Sequence, residues 1–187
     1  MTVADPEATL RAAERVVELL ARQGLETVVI GAVALAAYKY VRETRDLDLG
    51  VDASLGQMRD VARALEREPG FTVALHEPDA DDPLGGVIDV EGEFGRIQIV
   101  SFGDRFPAAI VDGIREATLV VREGSPLRII PLPQLVALKA YAGGMKSLAD
   151  IVEVLARNPD VDRDAILEVC RRYRLEARIE ALLSEEL

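Results

Sequence analysis

Between Val28 and Asp52 the chain reads VVIGAVALAAYKYVRETRDLDLGVD: an apolar run, a small-residue bend, a short helix, then a strand carrying Asp46 and Asp48. Residues two apart on a strand point to one face. The spacing therefore predicts two carboxylates side by side, with Leu47 and Leu49 alternating toward a core. Adjacent carboxylates repel, and one pKa rises unless a cation is present. A divalent cation resolves the conflict, and Mg²⁺ is commonly held by one or two carboxylates together with substrate phosphates. Gly31-Ala32 follows the apolar run Thr27-Val28-Val29-Ile30. Glycine there permits a tight bend and close approach of the backbone to a phosphate, and a helix start attracts anions. Taken alone, the acidic pair also fits a solvated strand edge. Set behind a glycine bend, it predicts a metal-nucleotide site.

The rest of the chain bounds what such a site can serve. With 187 residues there is room for one sizeable domain, or a domain with an appended helical part. Apolar residues make up 49% and charged residues 29%, which places the chain in the soluble globular class. The formal net charge of −11 argues against bulk, salt-driven adhesion to nucleic-acid phosphates. No stretch reaches the roughly 18 apolar residues of a membrane helix, and no signal-peptide pattern is present. The single cysteine, Cys170, has no internal partner for a disulfide. Together these predict a cytoplasmic protein with no membrane partner.

In chain order, Asp5-Pro6 opens a helix that stops near Gly24. Thr27–Ile30 is a strand, Ala34–Tyr40 a short helix with Tyr38 and Tyr40 as packing residues, and Asp46–Val51 the acidic strand. Asp52 is placed to cap a helix over Leu55–Glu68. Phe71–Leu75 is a third strand, and an acidic loop follows from His76 to Pro83. His76, the only histidine, reads as a surface residue. Gly85–Glu91 and Gly95–Phe102 form a hairpin of period-two, β-branched character. Arg105–Ala117 is a helix with Pro107 in its first turn. The short β-like runs Thr118–Val121 and Leu127–Ile130 position the helical part that follows instead of extending the sheet. Gln134–Ala142, Lys146–Arg157, Asp162–Tyr173 and Leu175–Leu187 are helices. Arg171, Arg172 and Arg174 form a basic cluster that reads as a solvated face, with contact to a polynucleotide or an acidic partner as the alternative, and Cys170 lies in the core. The fold class is α/β (α+β): a mixed β-sheet flanked by helices over residues 1–125, then a helical C-terminal region over 126–187.

Gly31-Ala32 followed by Arg42-x-Thr44-x-Asp46-Leu47-Asp48-Leu49 resembles the signature of the nucleotidyltransferase superfamily with the DNA polymerase β-like fold. The likeness is to small prokaryotic members akin to abortive-infection and toxin–antitoxin nucleotidyltransferases. The stretch LPQLVALKAYAGGMKSLADIVEVL resembles the second half of the same proteins, with matching positions at Lys139, Lys146 and Asp150. The resemblance implies transfer of a nucleoside monophosphate from a nucleoside triphosphate to a hydroxyl acceptor. Asp46 and Asp48 would hold Mg²⁺, one ion or two, and Gly31-Ala32 would cradle phosphates. Arg42 and Thr44 would shape the pocket, with Arg42 serving only to orient Asp46 or Asp48 as the alternative, and Lys139 or Lys146 would neutralise triphosphate charge. By spacing, Lys146 and Asp150 can pair on one helical face. The superfamily's third carboxylate falls at Gln98, a neutral side chain; Asp89 on the partner strand is the substitute, as ligand or base, with an exposed hairpin residue as the plainer reading. The acceptor is left open among tRNA, protein and small molecule, as is an antitoxin partner or a homo-oligomer. Gln98 also fits a second reading, a degenerate module that binds nucleotide or a protein without turnover.

Overall fold

The computed structural model describes residues 5–44, 46–79, 84–103 and 108–184, with side chains to residue 180. Helix α1 (Pro6–Arg22) begins as the Asp-Pro signal predicts, with the Asp5 side chain accepting from the Glu7 amide. The elements then run β1 (Thr27–Ile30), α2 (Gly31–Ala37), β2 (Asp46–Val51), α3 (Leu55–Leu65), β3 (Thr72–His76), β4 (Gly86–Gly92), β5 (Gly95–Ser101) and α4 (Ala109–Glu116). The helices α5 (Leu132–Ala142), α6 (Met145–Ala156), α7 (Arg163–Arg172) and α8 (Glu176–Ser184) complete the chain.

The five strands lie in the order β1-β2-β5-β4-β3. Only β2 and β5 run parallel; the other neighbours are antiparallel, so the sheet is mixed as expected. Period-two alternation sorts the two faces. Leu47, Leu49, Ile88, Val90, Ile97 and Ile99 are buried together on one of them. The intervening residues Asp46, Asp48, Gln98 and Asp89 stand on the other, partly open to solvent. Toward the end of β2 this second face is closed by α4, whose Ile110 lies directly on Gly50.

Four details depart from or add to the sequence expectations. The second helix starts at Gly31 itself and ends at Ala37, because Gly31 takes φ +66° and turns the chain straight from strand to helix. Ser54, not Asp52, caps α3: it accepts from the Gln57 amide while the Gln57 side chain accepts from the Ser54 amide. The 118–130 segment adds no strand to the sheet, yet it reaches the sheet edge through an isolated parallel bridge between Val29 and Ile129. Val29 is fully buried, and its N–H donates to the Arg128 carbonyl at 2.7 Å while its carbonyl accepts from Ile130 at 3.1 Å. A buried strand edge must satisfy its backbone groups, and this run does so. Last, Arg172, exposed like Arg171 and Arg174, is tied down by an ion pair that the sequence does not show. It pairs with the buried Asp112 of α4 at 3.3 Å, alongside Arg115 at 2.5 Å and the Tyr173 hydroxyl. The predicted helix start at 105–107, the loop at 80–83 and the last residues 185–187 lie outside the described residues.

Helix α5 is the hub of the second half. Leu132, Gln134, Leu135, Val136, Ala137, Leu138 and Ala140 are all buried, so apolar side chains surround it. It packs against α4, α6 and α7 and ends in a left-handed Gly143. Among the described residues, no helix is long and apolar enough to cross a membrane.

Candidate active site

Strand β2 presents Asp46 and Asp48 on one face, each partly exposed, with Leu47 and Leu49 buried behind them. Asp48 sits opposite Ile30, the last residue of β1, and so beside the glycine bend. The contact is close. A Cβ placed on Gly31 would lie 1.8 Å from Asp48 Oδ2 and 3.0 Å from its Cβ. Only glycine lets that carboxylate rest against the turn between β1 and α2.

Burial, and then the neighbouring Asp46, push the Asp48 carboxyl above its ordinary range; Lys139, Arg42 and Lys146 pull it back. Three cations from three separate segments thus act on Asp48 through their charge. Their arrangement differs from the expected helix-surface pair between Lys146 and Asp150. Asp150 is 2% exposed. Its Oδ2 accepts from Lys139 Nζ at 2.6 Å, and its Oδ1 lies 3.4 Å from Arg42 Nε. Lys146 is exposed, whereas Asp150 turns inward from α6 toward α5 and the segment before β2. Among the described residues the buried Arg42 Nε finds no hydrogen-bond acceptor, and it meets Asp150 as an ion pair. Its ion pair goes to Asp150 and not to Asp46 or Asp48. Thr44 braces the start of β2: its hydroxyl donates to the Asp46 carbonyl at 3.1 Å and accepts from the Asp46 amide at 3.3 Å.

Helix α6 holds this segment at further points that sequence spacing does not show. Asn158, just past its end, donates to the Tyr38 carbonyl at 2.7 Å. The Arg157 guanidinium stacks over the Tyr40 ring at 4.8 Å. The Tyr38 hydroxyl donates to the Ile130 carbonyl, in keeping with a packing role. Asp150→Ala leaves Lys139 and Arg42 without their shared countercharge, and breaking a buried pair this way costs about 3–5 kcal/mol. Urea unfolding of the variant against the native chain reads that loss directly.

Asp89 stands apart from the acidic pair. In register, Asp48 faces Gln98 on β5, and Gln98 faces Asp89 on β4. Two strand spacings, roughly 10 Å, separate the backbones of Asp48 and Asp89. Among the described residues no three His, Cys, Asp or Glu side chains cluster as a metal cage. The chemistry of the pair still suits Mg²⁺: two adjacent carboxylates on one face leave the remaining coordination to phosphates and water. His76, read from sequence as a plain surface residue, has an exposed ring whose Nε2 lies 3.1 Å from Asp89 Oδ2.

No family model matches the chain, and no curated protein matches it in sequence. Solved structures do match in shape. The solution structure of the antibiotic-resistance factor ANT(2'')-Ia aligns with TM-score 0.55 at 15% identity, covering 95% of this chain and 96% of that one. A crystal structure of ANT(2'')-Ia in complex with adenylyl-2''-tobramycin gives TM-score 0.57 at 13% identity, over 88% of this chain and 96% of that one. An antigenic nucleotidyltransferase-like protein from Paracoccidioides brasiliensis gives 0.56 at 12%, over 96% and 94%. The chain shares its overall fold with these nucleotidyltransferase and nucleotidyltransferase-like structures.

Proposed function

We propose that this chain is an Mg²⁺-dependent nucleotidyltransferase that moves a nucleoside monophosphate from a nucleoside triphosphate to a hydroxyl acceptor. One observation carries the reading: Asp48, on one face of β2 with Asp46, rests against the Gly31 bend, and the charges of Lys139, Arg42 and Lys146 act on it. Asp46 and Asp48 would hold Mg²⁺, which supplies Lewis-acid polarisation of the α-phosphate and lowers the pKa of the attacking hydroxyl. Backbone N–H groups at Gly31-Ala32 would receive phosphate oxygens, glycine permitting the close approach. Lys139, Lys146 and Arg42 offset triphosphate charge, the main service a protein gives phosphoryl chemistry. In this division residues 1–125 carry the chemistry and 126–187 supply the two lysines. Asp150 serves the phosphates only through the cations it holds. Asp89 is the acceptor-side base.

The net charge of −11 favours a small-molecule or protein acceptor over tRNA. A toxin–antitoxin setting is supported by the likeness of the two sequence motifs to that branch, and an adjacent small antitoxin gene would accord with it. Gln98 is the one feature that favours the second reading, a module that binds nucleotide without turnover. Incubation with each α-labelled nucleoside triphosphate, Mg²⁺ and cell extract separates the two. Label transfer by the native chain, lost in Asp46→Asn and Asp48→Asn, supports the enzyme. Tight Mg-nucleotide binding with no transfer supports the module.

A further inference from the structure

On the open face of the sheet, Gln98, Asp89 and His76 form a connected set beside the acidic pair. Gln98 Nε2 donates to Asp89 Oδ1 at 2.7 Å. His76 Nε2 lies 3.1 Å from Asp89 Oδ2, and with its proton on Nε2 the ring donates there. Each Asp89 oxygen is thus held from a different neighbouring strand, β5 on one side and β3 on the other. The Asp89 side chain is 17% exposed. A carboxylate gripped at both oxygens has a fixed plane, yet each oxygen keeps lone-pair capacity to accept a further proton donor.

We propose that Gln98 and His76 are positioning residues that aim Asp89 at the acceptor hydroxyl, and that Gln98 is a working part of the site instead of a decayed metal ligand. This rests on the transfer reading above. An amide at position 98 can donate to Asp89; an ionised carboxylate cannot. A glutamate there would also set three carboxylates in a row, Asp48, position 98 and Asp89, each repelling the next. The two-strand gap between Asp48 and Asp89 is too wide for both to grip one ion. Gln98, partly exposed between them, marks where a reacting phosphoryl group and a hydroxyl would meet. In the step itself, the acceptor oxygen bonds to the α-phosphorus as its proton passes to Asp89. The α–β P–O bond breaks, and pyrophosphate leaves with the electron pair. Asp89 then yields the proton to water. A base already oriented makes this transfer without first turning, which is where positioning acts on rate.

The test compares native chain, Gln98→Glu, Gln98→Leu, His76→Gln and His76→Leu. Two quantities are measured: label transfer from α-labelled nucleoside triphosphate in extract, and Mg-ATP affinity by calorimetry. Both Gln98 variants are expected to lose about 10²-fold in transfer, the scale of a misaimed catalytic group, with the Mg-ATP Kd nearly unmoved. His76→Gln, which keeps a donor, is expected to retain more transfer than His76→Leu. Gln98→Glu at or above the native rate would show that position 98 wants a metal ligand, and would overturn the inference. A transfer loss matched by an equal loss of Mg-ATP affinity overturns it too. Absence of transfer by the native chain with every nucleotide overturns the transfer reading itself, and this inference with it.

Discussion

Asp48→Asn is expected to resist heat better than the native chain at neutral pH while transferring almost nothing. Both effects come from one carboxylate. Burial, then Asp46, hold the Asp48 pKa above its ordinary value, against the partial pull of Lys139, Arg42 and Lys146. A carboxyl whose pKa is raised on folding binds its proton more tightly in the folded chain. Its contribution to stability is therefore complete below the ordinary carboxyl range and is lost as pH rises through the raised value. At neutral pH the ionised side chain opposes folding, and asparagine removes that opposition. In acid the native Asp48 takes up its proton and the gap between the two proteins closes. Activity moves the other way, because a neutral amide is a poor Mg²⁺ ligand. Loss of one electrostatic element of this kind costs about 10²–10³-fold in rate. Thermal unfolding at neutral and acid pH, beside label transfer, checks both halves. A neutral-pH Asp48→Asn that melts below the native chain would contradict the account.

Gly31→Ala is expected to damage the same site without touching a charge. Gly31 holds φ +66°, where an L-residue with a Cβ pays roughly 1–2 kcal/mol. The added methyl also has nowhere to go. It would meet Asp48 Oδ2 at 1.8 Å, Cγ at 2.7 Å and Cβ at 3.0 Å. The short aspartate side chain cannot clear the methyl by moving its tip alone, so the carboxylate must swing off the bend. The variant should be less stable than the native chain, in contrast to Asp48→Asn, and should lose Mg-ATP binding together with transfer. Calorimetry and thermal unfolding separate the two variants by the sign of the stability change. Native-like Mg-ATP affinity in Gly31→Ala would show that the bend does not support the acidic pair.

The parts of this site governed by short-range periodicity were legible in sequence. Asp46 and Asp48 share a face because strand side chains alternate, and the buried Leu47 and Leu49 fix which face that is. The glycine bend was legible because few residues other than glycine serve such a turn. Contacts between distant segments were not. The i,i+4 rule pairs Asp150 with Lys146 on one helix, but tertiary packing turns Asp150 inward to Lys139 and Arg42. His76 reaches Asp89 only through the β3–β4 register, which no local signal sets. The run Leu127–Ile130 is too short to announce a strand, and to the sheet it forms only an isolated bridge, at Val29, whose buried backbone groups need partners.

The most direct measurement of the central claim uses two labels. Native chain, Mg²⁺ and extract are incubated with nucleoside triphosphate labelled at either the α- or the γ-phosphate. The account predicts that α-label becomes bound to the acceptor while γ-label appears only in pyrophosphate, and that Asp46→Asn and Asp48→Asn abolish both. Transfer of γ-label to the acceptor, or α-label transfer that survives loss of both aspartates, would contradict it.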